Sequence, residues 1–517
     1  MKKSMNGAES LVQTLLNGGV EVSFTNPGTS EMHFVAALDG APAMRCVLCL
    51  FEGVATGAAD GYARMADKPA ATLLHLGPGL ANGLANIHNA KRANSPMVNI
   101  IGDHASYHLR YDAPLTADIE TTAKPYSHWI KRSLNSEMVA ADGAAAIQAA
   151  RSSPGRIATL ILPGDTAWNA AQAAAEAPVI PPPAPVPAEH IEAAAAVLRS
   201  GEPCVLLLAG KALRERGLEL AGQICAATGA SMLAQTSNAR LQRGAGRTPI
   251  ERVPYPVPQA LECLAGFRHA ILIGAKEPIA FFAYPDRPSR LLPEDCQVHA
   301  LAAPEQALEQ ALVDLAAALD ATQPAPVFEL APPAVPQGAL TPVNLALSVA
   351  ALLPDNAIVA DESVSTGRAF FQYIRDVPPH DWIQVTGGAI GNGPPLATGA
   401  AIACPERWVI NLQADGSAMY TLQALWTQAR ERLKVITVIL ANNAYAILQG
   451  EMRNVGVGEF GPKAQSMLEL NNPELDWVSL AQGMGVPGGR ATTCEDFSRL
   501  FQQALAGDGP FLIEARI

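Results

Sequence analysis

The chain has 517 residues, of which 49% are hydrophobic and 16% are charged, and it contains 42 glycines and 41 prolines. This length and composition favour about three α/β domains with large cores. The net charge of −12 is not concentrated in one tail, and the sequence has no Lys/Arg cluster and no apolar run of membrane-spanning length. We therefore expect neither a nucleic acid nor a membrane as a partner.

The start of the chain and its cysteines indicate where the protein works. Residues 1–6 lead into a polar-apolar helical pattern and not into the apolar region of a secretory signal. Cys46 and Cys49 form a single C-x-x-C pair inside an apolar strand-like run, which is more typical of buried thiols than of a zinc or redox site. These features predict a cytoplasmic protein with reduced cysteines.

Two proline-rich stretches, residues 177–187 and 324–336, are typical of extended linkers. They divide the chain into residues 1–175, 188–322 and 338–517. In each part short apolar runs alternate with longer segments rich in Ala, Leu, Glu and Gln. This alternation predicts the α/β class, with three doubly wound parallel-sheet domains.

Three polar residues of the first part lie at the ends of predicted strands. Glu52 opens a helical segment, where the helix dipole alone would also favour a glutamate. His75 lies between leucines and precedes a Gly-Pro-Gly turn, and a histidine among leucines is often a satisfied core residue. His104 follows Asp103 at the end of a third apolar run, and an Asp-His pair can also be structural.

The third part contains a stronger pattern. Asp415 follows an apolar run and opens a helical segment at Asp-Gly-Ser, and Asn442 ends the next apolar run. In a parallel sheet both residues would lie at the carboxyl ends of neighbouring strands, where α/β sheets bind ligands. Carboxylate and amide oxygens suit Mg²⁺, which also binds phosphate oxygens, and the backbone N–H groups near Ser417 suit a phosphate. The pattern predicts a site for magnesium and a phosphorylated group.

These segments, together with the Thr-Gly-Gly-Ala-Ile-Gly run of residues 386–391, resemble the thiamin-diphosphate enzymes. The similar family is that of acetohydroxyacid (acetolactate) synthase, pyruvate oxidase and benzoylformate decarboxylase. The resemblance spans nearly the whole chain. It implies a pyrimidine-binding domain at residues 1–175, a central α/β domain at 188–322 and a diphosphate- and Mg²⁺-binding domain at 338–517. One position departs from the family's usual Gly-Asp-Gly, because Ala414 holds the first glycine position; its methyl group is strained only if φ is positive.

The resemblance implies thiamin diphosphate and Mg²⁺ as cofactors. Glu52 would activate the aminopyrimidine, the Gly388 carbonyl would accept a hydrogen bond from the same ring, and Ile390 would support the bent cofactor. Gly-Gly at a strand end is otherwise simply a turn, and the Ser/Thr cluster around residue 365 is also typical of turns. The resemblance further implies diphosphate contacts from Ser365, Gly416, Ser417 and Tyr445, and metal ligation by Asp415, Asn442 and the Ala444 carbonyl.

The substrate side of the site resembles benzoylformate decarboxylase. Thr29 lies in an Asn-Pro-Gly-Thr-Ser-Glu loop similar to the loop with which that enzyme holds a 2-oxo-acid carboxylate, whereas Glu31 of the same loop is equally suited to capping or to a surface ion pair. His75 falls where that enzyme has a catalytic histidine, which makes it the candidate for proton transfer. His104 is a further candidate lining residue, together with His108.

The central and final segments depart from the relatives. Residues 277–285, where benzoylformate decarboxylase contributes a second catalytic histidine, contain Phe281 and Phe282 and predict an apolar wall. The central part has no Arg-rich run suited to a flavin, so FAD is not predicted. Glu451 falls where pyruvate oxidase has an active-site glutamate, although a solvent-facing helical glutamate is an equal alternative. Because the chain ends on a strand-like run, a CoA-thioester substrate is not expected.

The resemblance implies that a small-molecule 2-oxo acid loses CO₂ to leave an enamine, which is either protonated or joined to a second carbonyl compound. His75 and the missing flavin signature favour a non-oxidative decarboxylase (a lyase). The alternatives are an acetolactate-synthase-like carboligase (a transferase) and a non-catalytic cofactor-binding relative, against which the retained Glu52, Asp415 and Asn442 argue. The resemblance also implies a homodimer or homotetramer with active sites at the subunit interface, where Glu52 of one chain serves Asp415 of the other.

Overall fold

The computed structural model describes residues 5–517, which form three sheets with helices packed around them. Nearly all strand pairs are parallel, and the central strands are buried because helices cover the sheets. The predicted α/β class with three doubly wound parallel sheets is confirmed. No helix within these residues is both long and apolar enough to span a bilayer.

The first sheet has six parallel strands in the order β2-β1-β3-β4-β6-β5. Its strands are β1 (Val22–Thr25), β2 (Arg45–Leu48), β3 (Ala70–Leu74), β4 (Met97–Asp103), β5 (Trp129–Arg132) and β6 (Ile157–Pro163). The helices of this region are α1 (Gly7–Asn17), α2 (Met32–Asp39), α3 (Glu52–Ala66), α4 (Leu76–Ala93), α5 (Ile119–Ala123), α6 (Val139–Arg151) and α7 (Gly164–Trp168), with 3₁₀ turns at Thr29–Glu31 and Leu109–Tyr111.

One cysteine prediction is wrong. Cys49 is buried as expected, but Cys46 is exposed. Cys46 lies on β2, which is an edge strand of the first sheet, so an apolar run there need not have a neighbour on both sides.

The second region contributes a five-stranded sheet in the order β10-β8-β7-β11-β12. The strands of this region are β7 (Cys204–Leu208), β8 (Ser231–Ala234), β9 (Leu241–Arg243), β10 (Glu251–Arg252), β11 (His269–Ile273) and β12 (Gln297–Ala302). Its helices are α8 (Ala188–Arg199), α9 (Glu215–Thr228), α10 (Val257–Leu264) and α11 (Leu308–Ala318), with a 3₁₀ turn at Gly210–Leu213. Strand β9 is not part of this sheet because it belongs to the third sheet.

The third sheet has seven strands in the order β17-β18-β16-β15-β13-β14-β9, and β9 is its antiparallel edge strand. Its other strands are β13 (Ile358–Glu362), β14 (His380–Gln384), β15 (Val409–Ala414), β16 (Val435–Ala441), β17 (Gly488–Ala491) and β18 (Phe511–Arg516). The helices are α12 (Pro342–Leu352), α13 (Phe370–Tyr373), α14 (Gly393–Ala403), α15 (Asp415–Ala418), α16 (Ala424–Glu431), α17 (Ala446–Asn454), α18 (Pro462–Ser466), α19 (Trp477–Gly483) and α20 (Cys494–Leu505).

Helices α3 and α14 bring the first and third regions into close contact. A Cβ atom at Gly61 of α3 would lie 2.0 Å from the Leu396 carbonyl oxygen, and one at Gly399 of α14 would lie 1.8 Å from the Ala58 carbonyl oxygen. The glycines therefore allow the two helix backbones to touch. This contact places the start of α3 close to the loop that precedes α14.

Candidate active site

Glu52 is the first residue of α3, and its side chain is held in place. The side chain is buried, and Asn82 of α4 donates a hydrogen bond to Oε2 over 3.0 Å. A Cβ atom at Gly79 would come within 3.0 Å of Oε1, so the absence of a side chain there leaves room for the carboxylate. The predicted activator is thus a fixed carboxylate at the first turn of a helix.

His75 and Glu31 form a pair at the end of β3. The His75 Nδ1 atom lies 2.8 Å from Oε2 of Glu31, which also accepts a hydrogen bond from the Gly28 N–H. Ser30 donates to the other carboxylate oxygen over 2.6 Å, and Thr29 of the same loop is exposed. Glu31 is only 3% exposed, so the surface ion pair considered for it is wrong. A carboxylate oxygen accepts hydrogen bonds, so this contact favours a proton on Nδ1 and leaves Nε2 as the ring nitrogen that Glu31 does not contact.

Asp103 and His104 do not form a side-chain pair. Asp103 accepts from the guanidinium of Arg132 over 2.5 Å and from the His104 backbone N–H over 2.7 Å. The His104 ring lies 5.5 Å from that of His108, and its Nε2 atom is buried without a hydrogen-bond partner in the described chain. The structural Asp-His pair is therefore wrong, and a role for His104 beside a ligand stays a prediction.

The glycine loop before α14 is held from two sides. The Gly387 carbonyl oxygen lies 3.1 Å from Nε2 of His88 on α4. Gly388 has a φ of +77°, which suits glycine, and a Cβ atom there would lie 2.6 Å from the Phe281 ring. Ile390 is half-buried and belongs to none of the packed cores formed by residues 5–517. The loop therefore combines a close backbone approach with an apolar side chain outside the cores.

A stripe of asparagines on α4 connects Glu52 to this loop. The stripe residues Asn82, Asn86 and Asn89 are spaced to fall on one helix face. Asn86 donates to the Gly53 carbonyl over 2.8 Å, and Asn89 donates to the Ala389 carbonyl over 2.7 Å. Sequence reasoning missed this stripe, although polar residues at helical spacing in an otherwise apolar helix are a usable signal.

Glu362, at the end of β13, is a second site residue that sequence reasoning missed. It is buried and accepts hydrogen bonds from the backbone N–H groups of Gly391 and Gly393 and from the Gln413 amide. Burial raises the pKa of the Glu362 carboxyl, and these hydrogen bonds counteract the rise. Gln413 in turn donates to Ser417 over 2.5 Å. The network fixes the glycine loop relative to α15.

Asp415 and Asn442 lie at neighbouring strand ends, as the sequence predicts. Asp415 accepts from the backbone N–H groups of Gly416 and Asn443, and the Asn442 side-chain oxygen accepts from the Ala444 N–H over 3.0 Å. Burial raises the pKa of the Asp415 carboxyl, against the effect of its backbone hydrogen bonds. The oxygens of Asp415, Asn442 and Ala444 therefore come from two adjacent loops, which the hydrogen bond from the Asn443 N–H to Asp415 joins.

The other candidate diphosphate contacts pack close to these two loops. Tyr445 packs against Gly416, where a Cβ atom would lie 2.5 Å from its ring, and Ser417 is buried. Ala414 has a φ of −72°, so the alanine that replaces the usual glycine is unstrained. Ser365 lies in the loop after β13, where Thr366 accepts a hydrogen bond from the Asn442 amide.

Glu451 lies on α17 and is half-buried. Its Oε2 atom accepts a hydrogen bond of 2.7 Å from Tyr284, which belongs to the predicted apolar wall of residues 277–285. Sequence reasoning did not single out Tyr284. The contact joins the second and third regions of the chain beside the candidate site.

Apart from His104 and Glu451, the predicted residues form two groups in one chain. The first group comprises Glu52, His75 and Thr29, and the second comprises Gly388, Ile390, Ser365, Gly416, Ser417, Tyr445, Asp415, Asn442 and Ala444. Within residues 5–517 no hydrogen bond joins Glu52 to Asp415. The second group has the hard oxygen donors that suit Mg²⁺ and glycines that allow a ligand to approach, so it fits a metal-bound diphosphate.

Two family models match the chain. The model described as the N-terminal TPP binding domain of thiamine pyrophosphate enzymes matches residues 5–127, and the one described as their C-terminal TPP binding domain matches residues 364–515. The first match contains every residue of the Glu52 group, and the second contains every residue of the Asp415 group.

Similar proteins cover the whole length. A Mycobacterium tuberculosis protein, named provisionally as the acetolactate synthase large subunit IlvX, is 52% identical over 515 residues, with 99% of this chain and 98% of its own length covered. Benzoylformate decarboxylase of Pseudomonas aeruginosa is 31% identical over 536 residues, with 97% of each chain covered. The solved thiamine diphosphate-dependent 4-hydroxybenzoylformate decarboxylase of Rhodococcus jostii RHA1 has a TM-score of 0.86 and 27% identity, and covers 99% of both chains.

Proposed function

Because the chain belongs to the family of thiamine pyrophosphate (thiamin diphosphate) enzymes, we propose that it decarboxylates a 2-oxo acid without oxidation. Thiamin diphosphate and Mg²⁺ are its cofactors in this proposal. When bound, the cofactor supplies the electron sink for the electron pair that remains on the substrate carbon when CO₂ leaves. The protein supplies the anchors, the orientation and the proton transfers.

The residues proposed to hold the metal and the cofactor belong mainly to the loops at the strand ends of the third sheet. Asp415, Asn442 and the Ala444 carbonyl would hold Mg²⁺, because all three offer hard oxygen ligands. Contacts to the diphosphate would come from Ser365, Gly416, Ser417 and Tyr445. Gly388 and Ile390 would position the ring system, and Glu52 would contact the aminopyrimidine.

The observation that carries the decarboxylase proposal is the His75–Glu31 pair. Glu31 accepts from Nδ1, so Nε2 is the atom that can give a proton to the carbon left by CO₂. A dedicated proton donor suits a reaction that ends in an aldehyde. The similarity to benzoylformate decarboxylase supports the same reaction class.

A second candidate is carboligation, in which the same carbon joins a second carbonyl compound. It is favoured by the 52% identity to the protein named as an acetolactate synthase large subunit. Both candidates begin with cofactor-dependent loss of CO₂, and they differ in the product.

The active site in this proposal lies between two subunits of a homodimer or homotetramer. Glu52 makes its side-chain hydrogen bond within its own region, to Asn82. In this proposal, as the family resemblance implies, its carboxylate serves the Asp415 group of a second chain.

The test is CO₂ release from aliphatic, aromatic and dicarboxylic 2-oxo acids, with and without thiamin diphosphate and Mg²⁺, with the products identified. We expect cofactor-dependent release with an aldehyde as product. Acetolactate-like products would instead establish the carboligase. Tight cofactor binding without CO₂ release from any 2-oxo acid would refute both.

A histidine comparison tests the proton donor separately. His75→Ala should slow aldehyde formation by about 100-fold and leave cofactor affinity unchanged. The matched control is His190→Ala, which removes an exposed histidine on α8 and should leave the rate unchanged. Equal rates in the two variants would exclude His75 as the donor.

A further inference from the structure

A cavity of about 380 Å³ lies between the second and third regions, beside the candidate active site. Its walls come from α10, the segment before it, the loop after β13, and α17. Ser365, the candidate diphosphate contact, lies on one wall, and Glu451 lies on another. The cavity is therefore continuous with residues that the proposed function already uses.

The cavity also adjoins the glycine loop. Phe281 lies against Gly388, and its ring packs on Tyr255 with the ring centres 5.5 Å apart. Tyr255 is itself a lining residue of the cavity. The Phe281–Tyr255 pair therefore links the lining of the cavity to the loop that would position the cofactor ring.

The lining is strongly basic for a chain with a net charge of −12. Three arginines, Arg287, Arg368 and Arg453, line the cavity, and Glu451 is its single acidic residue. One oxygen of Glu451 is already occupied by the Tyr284 hydroxyl. The cavity therefore has an excess of positive charge.

Each of the three guanidinium groups lies over an aromatic ring, and Arg453 lies 5.4 Å from the centre of the Phe460 ring. Arg287 lies over the Tyr284 ring and Arg368 over the Tyr255 ring, each 5.6 Å from the ring centre. In the described chain neither forms an ion pair with a carboxylate. Stacking on a ring orders an arginine side chain and leaves its N–H groups available, and these groups match a carboxylate well.

We propose that this cavity binds a distal carboxylate of the substrate, so that the enzyme's preferred substrate is a 2-oxo dicarboxylic acid. Arg287 and Arg368 would bind the distal carboxylate while the 2-oxo group reaches past Phe281 to the cofactor. This substrate assignment rests on the proposed decarboxylase function. An uncharged aromatic side chain would make no charge-assisted contact with Arg287, which is half-buried, or with Arg368, which is exposed at the cavity mouth.

The test compares substrates that differ only at the distal end. The holoenzyme is assayed with 2-oxoadipate and 2-oxoglutarate against 2-oxohexanoate and 2-oxopentanoate, and with benzoylformate as the aromatic case. We expect kcat/KM to be higher for the dicarboxylates by about tenfold or more, because a charge-assisted contact to arginine is gained. Equal or higher kcat/KM for the substrates that lack a distal carboxylate would overturn the assignment.

Variants locate the effect. Arg287→Gln and Arg368→Gln should each raise KM for the dicarboxylates by about tenfold, leave kcat nearly unchanged and not affect the monocarboxylates. Arg368→Lys should retain part of the preference. The control Arg216→Gln removes an exposed arginine of α9 that pairs with Glu219, and it should change nothing. An equal loss for all substrates, together with weaker thiamin diphosphate binding, would mean that the arginines serve the cofactor and would overturn the proposal.

A binding measurement separates this proposal from the proposed function. Glutarate, a dicarboxylate that cannot react, should raise the melting temperature of the cofactor-loaded protein, and the Arg287→Gln/Arg368→Gln double variant should lose the shift. Butyrate is the monocarboxylate control and should give no shift. If no 2-oxo acid releases CO₂, the proposed function fails, whereas the absence of a glutarate shift in the wild type overturns the cavity assignment.

Discussion

The Glu31 carboxylate acts on the proposed chemistry through His75. Because Glu31 is buried and holds Nδ1 over 2.8 Å, it sets the orientation of the ring and the nitrogen that exchanges protons. Glu31→Gln weakens that hold, and we expect aldehyde formation to slow by about tenfold to 100-fold with unchanged cofactor affinity. Steady-state CO₂ release and a cofactor titration measure the two effects.

A double variant distinguishes positioning from a general structural effect. If Glu31 acts through His75, then Glu31→Gln/His75→Ala should be no slower than His75→Ala alone. Glu21→Gln serves as the control because Glu21 is a surface carboxylate paired with Lys68. Additive losses in the double variant would assign Glu31 a separate structural role.

At the residue scale the sequence predicted which residues end strands better than it predicted contacts between residues that are distant in sequence. Asp415 and Asn442 meet because they end neighbouring parallel strands, and this follows from local pattern alone. For Glu31 the capping alternative is confirmed by the hydrogen bond from the Gly28 N–H, whereas the surface ion pair is wrong because β4 buries the side chain, which a Cβ atom at Gly102 would overlap. Tyr284 was missed because its partner Glu451 lies far away in sequence.

The contact between α3 and α14 depends on glycine. Gly61→Ala would place a methyl carbon 2.0 Å from the Leu396 carbonyl oxygen, and a backbone atom cannot rotate away as a side chain can. We expect the free energy of unfolding to fall by about 1–3 kcal/mol. Chemical denaturation followed by circular dichroism measures the change.

Gly266 provides the matched control for this substitution. A Cβ atom at Gly266 would have no heavy atom within 4 Å, so Gly266→Ala should leave the free energy of unfolding nearly unchanged. Similar stabilities of the Gly61 and Gly266 variants would show that the two helices can separate without cost.

At the element scale the repeat of strands and helices was predictable, because apolar strand runs and Ala-rich helices differ in length and composition. The partners of α4 were not predictable in the same way. An amphipathic pattern is formed by Asn82, Asn86 and Asn89, which would normally indicate a solvent-facing side. In the structure half of the helix is buried, and this polar face contacts the first turn of α3 and a loop of the third region. Only the folded chain brings those groups together.

The placement of the active site between subunits has a direct test. Glu52→Gln and Asp415→Asn should each abolish turnover in the pure oligomer. After the two variants are mixed and their subunits exchange, the mixed dimers contain one site that carries both changes and one that carries neither. We therefore expect about a quarter of wild-type activity to return.

The mixture is measured as CO₂ release after dissociation and reassembly, with each variant treated alone as the control. Activity that stays at the level of the separate variants after confirmed subunit exchange would mean that each site is completed within one chain.

Strand β9 connects the second region to the third sheet. Residues 241–243 do not pair with the other strands of the second region but pair antiparallel with β14 of the third sheet. The buried guanidinium of Arg243 donates to the Phe371 carbonyl over 2.8 Å and lies over the rings of Phe371 and Trp382. The second region therefore cannot be exchanged as an independent unit. A chimera that takes residues 188–322 from a relative would also replace an edge strand of the cofactor-binding sheet, so recombination within the family must preserve the fit of that strand.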